Sequence, residues 1–160
     1  MVPTPDTDTA FAQFSHVLRE EGLRPALAYL LGLTDYRYIA IFRFRDDEQT
    51  TAVYYDRENP EALQSDTIPA SATYCCFVRD EKGVFTTVDA MRDPRLASFA
   101  AREAIRAYCG VPVLTPDGEI LGTLCHFDSV PRDSDQIDIQ LMLQVASALE
   151  QTNSIPEYPD

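Results

Sequence analysis

Two groups of side chains in this sequence could do chemistry by type and spacing: its thiols, and a short run of alternating acids and arginines. Cysteines stand at 75, 76, 109 and 125, and histidines at 16 and 126. No Cys-x-x-Cys pair occurs and two histidines do not complete a usual donor set, so a zinc site is not expected. Four irregularly spaced cysteines are also too few for a disulfide scaffold, which points to reduced thiols in a cytoplasm. The second group is Asp89, Arg92, Asp93 and Arg95, within seven residues. An Arg fork matches a carboxylate or phosphate bidentately. Arg92 is the better ligand candidate, because Arg95 follows Pro94 and is placed to pair with Asp93 or Asp89. Asp89 itself either accepts from a ligand amine or hydroxyl or bonds the backbone of its own turn.

These residues must be positioned by a single domain, since the chain has 160 residues, 45% hydrophobic and 24% charged. Residues 1–6 and 152–160 read as flexible tails around it. Ala10, Phe11, Phe14, Val17 and Leu18 recur at helical spacing, with Thr7 or Asp8 as N-cap and Gly22 as stop. Pro25 opens a second helix with an apolar face of Leu27, Leu30 and Leu31, ending near Gly32. Tyr38–Phe44 and Thr50–Asp56, joined by a polar turn, read as a hairpin, and residues 57–71 as a loop. Ser71 caps a short helix stopped at Gly83, and Val84–Val88 is a strand. A turn-rich stretch follows, then a helix over Ala100–Tyr108 by propensity.

The strongest local signal is a second hairpin around Pro116, Asp117 and Gly118. A three-residue loop there pairs Thr115 with Glu119, so partners sum to 234, which sets Cys109 opposite Cys125 and Tyr108 opposite His126. Asp133 and Gln136 suggest a capping box before a long terminal helix with Ile137, Leu141, Val145 and Leu149 on one face. The expected class is α+β: a mostly antiparallel sheet of five to six strands with the terminal helices on one face.

Thirteen basic and 26 acidic residues give a net charge of −13, which argues against nucleic acid and anionic lipid as partners. The apolar stretch Pro25–Leu33 is too short to span a bilayer and the N-terminus lacks signal-peptide features, so neither membrane insertion nor export is expected. Charge is uneven: residues 79–106 carry one net positive charge, leaving −14 elsewhere. Such a stretch suits a small anionic or polar ligand, or is simply a solvated mixed-charge surface.

Four pieces, in order, are similar to the GAF domain of bacterial signalling proteins: the Tyr-Cys helix and the Asp-Ala-x-x-Asp-Pro-Arg turn within TYCCFVRDEKGVFTTVDAMRDPR (Thr73–Arg95), and the Tyr-x-Gly-Val-Pro and Gly-Thr-Leu-Cys strands within RAYCGVPVLTPDGEILGTLCHFDSVPR (Arg106–Arg132). The resemblance covers about 23–151. It implies a ligand pocket on the sheet face away from the terminal helices, roofed by the middle helices and loops, and dimerisation through the terminal helices. Family members sit upstream of a kinase, cyclase or transcription module. Only 152–160 follow the last helix here, so a separate regulator of that kind, or a homodimer, is the expected output.

Within the resemblance, the expected ligand-binding residues are Tyr74, Cys76, Asp89, Arg92, Tyr108 and Cys125. Tyr74 and Tyr108 would offer an apolar body and a polar tip, although core packing alone would also explain them. The expected function is sensing of a small molecule without catalysis. The enzymatic alternative is free methionine-R-sulfoxide reductase, a GAF-fold enzyme: Cys75 and Cys76 occupy one thiol location, but its second, between Asp89 and Ala104, holds no cysteine. A third reading is an interaction module with a vestigial pocket. Cys125-His126 stands in a strand rather than in the pocket helix that carries a bilin, and His126 alone remains as a haem ligand, so no cofactor is assigned.

Overall fold

In a computed structural model, which describes residues 5–63, 68–69 and 73–156, the first helix, α1, spans Thr7–Glu21. It is capped by Asp6, one residue ahead of the expected position, whose carboxylate accepts from the Thr9 amide at 2.7 Å. Gly22, at φ 107°, ends α1 and starts α2 (Leu23–Gly32) in one step. Leu27, Leu30 and Leu31 of α2 are fully buried, at roughly 2 kcal/mol each.

Six strands follow: β1 (Tyr38–Arg45), β2 (Glu48–Asp56), β3 (Ile68–Pro69), β4 (Phe85–Thr87), β5 (Ala107–Leu114) and β6 (Ile120–Asp128). They form one antiparallel sheet in the order β3-β2-β1-β6-β5-β4. The short edge strand β3 lies in the segment expected to be loop. Helix α3 (Cys75–Glu81) ends at Lys82, at φ 51°, one residue before Gly83; the Ser71 cap falls outside the described residues.

Three expectations are corrected. The helix over Ala100–Tyr108 is instead a single 3-10 turn, Ala100–Glu103, followed by β5, every residue of which from Ala107 to Val113 is buried. Pairing on both edges of β5 overrides a local helical preference. The terminal helix α4 (Ile139–Gln151) starts at Asp138, which accepts from the Leu141 amide at 3.0 Å. Asp133 opens a separate 3-10 turn, and the Gln136 side chain reaches across to the Asp35 amide at 2.7 Å rather than back to a cap. The segment 152–156 is docked: Arg43 donates to the carbonyls of Ile155 (2.7 Å) and Pro156 (2.9 Å), and Ile155 is buried.

The sheet separates two cores. On one face α2 packs against β1 and β2, α4 packs against β5, and α1 bridges the two helices. On the other, Ala40, Phe42, Tyr108, Cys125 and Phe127 meet α3 and the 3-10 turns of 90–103.

The register of the second hairpin decides which residues reach which core. Thr115 donates to Glu119 at 2.9 Å as expected, but a bulge at Leu121 then shifts every later pair by one. Cys109 therefore faces His126, Gly110 faces Cys125, and Tyr108 faces Phe127, so the two cysteines lie on opposite sides of the sheet. On the other edge of β6, Gly122 pairs with Arg43 of β1, where any Cβ would collide with the Phe42 carbonyl.

Candidate functional site

Beneath α3, on the sheet face away from the terminal helices, lies a cavity of about 350 Å³. One wall is aromatic because alternate residues of β1, β2 and β6 point the same way: Tyr38 stacks on Phe127 at 4.8 Å and 12°, flanked by Tyr54 and Phe42. The opposite wall is Tyr74 and Cys75 at the start of α3, with Tyr108 from β5 meeting Tyr74 edge-on at 5.7 Å. Gly110, two residues along the same face, leaves the space that the Tyr108 ring fills.

The polar groups of the cavity are few and mostly engaged. Tyr74 donates to the Ile105 carbonyl at 2.8 Å, and Thr73 donates to the Gln49 side-chain oxygen at 2.8 Å. Burial raises the Tyr54 and Tyr74 phenols to about 12, so both stay neutral. No carboxylate, lysine or arginine lines the cavity among the described residues. An aromatic slot with neutral donors and acceptors fits an uncharged planar ligand.

The cavity contains one sulfur. Cys75 Sγ lies 3.2 Å from the Tyr108 hydroxyl and accepts from Thr123 at 3.5 Å. Burial works against its thiolate, but its polar neighbours, the Tyr108 and Thr123 hydroxyls among them, outweigh burial and lower it below the ordinary thiol value. Cys125 is pushed well above the ordinary thiol value by burial and by Cys75 itself; it lies beneath the cavity wall and donates to the Ala40 carbonyl at 3.8 Å. Cys76, the expected ligand thiol, is turned away, because neighbouring helical residues point about 100° apart. Burial raises it. Cys109, on the other face, is raised by burial to about 12.

Asp89 and Arg92 do not reach this cavity. They line a separate open groove of about 770 Å³ with Arg95, Arg132 and the outer edge of β4. Asp89 bonds its own turn at the Met91 amide (3.1 Å) and takes a bidentate grip from Arg106 at 2.9 and 3.1 Å, which holds its carboxyl below the usual range. Asp93 is held at about 2, chiefly by Arg95, whose guanidinium also donates to the Thr86 carbonyl and lies 4.4 Å from the Phe85 ring centre. Arg92 is 89% exposed and 3.8 Å from Asp89. The expected set thus divides: Tyr74 and Tyr108 line the cavity, Cys125 lies under it, Cys76 points elsewhere, and Asp89 and Arg92 belong to the groove.

Sequence reasoning missed Gln49, Thr73, Tyr54 and Phe127, which become neighbours only through sheet pairing, and it missed Arg106 as the partner of Asp89. His126 lies on the helix-covered face. It meets Tyr36 edge-on at 5.9 Å. Its two ring nitrogens and the Tyr36 hydroxyl are buried without hydrogen-bond partners among the described residues.

A family model for the GAF domain matches residues 18–152. The chain is 37% identical over 67 residues to a cyclic di-GMP phosphodiesterase of Pseudomonas aeruginosa. That match takes in 40% of the chain and spans only 11% of the relative's length. Among solved structures it is similar to the GAF domain of an Acinetobacter phosphoenolpyruvate-protein phosphotransferase, with a TM-score of 0.73 at 12% identity over 94% of this chain and 93% of that one. It is also similar to a free methionine-R-sulfoxide reductase from Neisseria meningitidis in complex with its substrate, with a TM-score of 0.72 at 19% identity over 94% and 92%.

Proposed function

The chain belongs to the GAF family, a class of sensory and regulatory domains, and on that footing we propose that it senses a small uncharged ring-containing molecule held beneath α3 and passes the change to a separate protein. The observation that carries the reading is the cavity of about 350 Å³, walled by aromatic rings and, among the described residues, free of charged lining. An anionic ligand would have needed Arg92, which faces solvent in the other groove. The non-catalytic reading is favoured over sulfoxide reduction because that chemistry needs two thiols that can meet at the substrate. Here Cys75 alone borders the cavity: Cys76 is turned out of it, Cys109 is across the sheet, Cys125 lies beside Cys75 but beneath the wall and does not line the cavity, and 89–104 contains no cysteine.

Ala104 sits exposed at the cavity rim, so Ala104→Trp should block the mouth while leaving the melting temperature within a few degrees. Native mass spectrometry of gently purified protein is expected to find a bound neutral aromatic molecule that this variant loses. A phosphorylated or carboxylated ligand retained by Ala104→Trp and lost by Arg92→Ala would move the site to the groove.

The second copy of this chain is the proposed partner. Along the outer side of α4 and the start of α1, Phe11, Gln140, Leu143, Gln144, Ser147 and Gln151 form an uncharged strip on a chain of net charge −13. There two acidic chains can meet without opposing carboxylates. Light scattering at micromolar concentration should give a dimer, and Leu143→Glu a monomer; a monomeric parent protein would remove the proposal.

A further inference from the structure

We propose that Cys75 is a modification site: its sulfur, facing the cavity, adds to a small uncharged ring carrying an α,β-unsaturated carbonyl, as in a quinone or cyclic enone. The proposal rests on the reading of the cavity as a ligand site and names the class of ligand.

Geometry isolates one nucleophile. Cys75 Sγ borders the cavity, with the Tyr108 hydroxyl at 3.2 Å and the Thr123 hydroxyl at 3.5 Å converging on it. Of the other thiols, Cys109 is across the sheet, Cys76 points away, and Cys125 lies beneath the wall without bordering the cavity, whereas Cys75, although only 2% exposed, borders it. A ligand in the cavity meets a single sulfur. The stacked Tyr38 and Phe127 rings present a flat surface to a planar ring, and the uncharged lining tolerates a neutral carbonyl.

The step needs no oxidant or reductant. The sulfur lone pair forms an S–C bond at the β-carbon, and the C=C π pair moves toward the carbonyl oxygen. The resulting enolate takes a proton at the α-carbon, replacing the one the thiol released, so S–H is added across the double bond. Donors directed at the sulfur favour the thiolate, which is the reacting form. Because these neighbours lower the thiol below its ordinary value, the rate should rise with pH as the thiol ionises and level off at lower pH than it does for an ordinary cysteine.

The test uses the whole chain with N-ethylmaleimide, a small neutral cyclic enone-type electrophile, and its unreactive analogue N-ethylsuccinimide. Intact mass and peptide mapping should show one adduct, on Cys75, forming about tenfold or more faster than on any other cysteine. Tyr108→Phe, which removes one donor, should slow it about tenfold, and Cys75→Ser should leave the native protein unmodified. First reaction at Cys76, Cys109 or Cys125, or no reaction before unfolding in urea, overturns the proposal. Binding of N-ethylsuccinimide without any Cys75 adduct overturns it while the ligand-site reading stands; absence of both removes both.

Discussion

Replacing Gly122 with Ala is expected to remove most of the folded protein from the soluble fraction. Gly122 pairs with Arg43 across the β1–β6 ladder, and a Cβ there would press on the Phe42 carbonyl oxygen, with the Phe42 carbonyl carbon at 3.0 Å and the Arg43 Cα at 3.1 Å. These are backbone atoms of a central strand, held on both sides, so they cannot turn aside as a side chain would. Overpacking a core ordinarily costs about 1–3 kcal/mol. A clash with ladder backbone should exceed that range, against a total stability of about 5–15 kcal/mol. Gly83→Ala is the control, because its nearest neighbour, the Glu81 carbonyl, is an ordinary 3.7 Å away. Urea denaturation should show Gly83→Ala near the parent midpoint and Gly122→Ala far below it. Equal midpoints would mean that β1 and β6 have room to part.

Acidification is expected to destabilise the protein in a window set by His126. Burial, and then the Arg57 charge, lower its pKa from 6.5 to about 3. The unfolded chain therefore takes up this proton near 6.5, while the folded one resists it until about 3. Between those values the unfolded state binds more protons, so stability falls as pH falls, by about 1.4 kcal/mol per unit and about 4–5 kcal/mol across the full window. Below about 4 the carboxylates paired with arginine, Asp56 and Asp93, add their own losses, so pH 6.5 to 4.5 isolates the histidine. His126→Leu keeps the apolar packing and removes the proton site. Its stability should be flat through that interval, and higher than the parent's at pH 5, because two buried ring nitrogens without partners among the described residues are gone. Parallel slopes in the two proteins would show that His126 is not the titrating group.

The docked helices, both hairpins and their polar turns were legible because each is announced by short-range chemistry: the apolar spacing of α1 and α2, Gly22 between them, and Pro116-Asp117-Gly118 at the second turn. Errors cluster where a distant partner competes with a local preference. Residues 100–108 have helical propensity, yet the segment from Ala107 is taken into the sheet between β4 and β6. Gln136 suits a capping box, yet its side-chain oxygen accepts from the distant Asp35 amide instead.

The candidate site was legible only in part for the same reason. Tyr74 and Tyr108 could be named from a family-like pattern, but the choice between Cys75 and Cys76 depends on the rotation of a seven-residue helix with no amphipathic period to set it. The Asp89–Arg95 run is conspicuous by its charge, but Asp93 and Arg95 engage one another, Asp89 is held by Arg106, and Arg92 faces solvent.

Composition, periodicity and turn chemistry determined by themselves that this chain is α+β, with an antiparallel sheet and helices at both ends, since each of those features follows from residues within a few positions of one another. Tertiary structure alone decided which face each cysteine reaches. A side chain in a strand changes faces with a shift of one residue, and the bulge at Leu121 that makes this shift lies beside Gly122, which packs against the Phe42 carbonyl of β1 about eighty residues away in the chain.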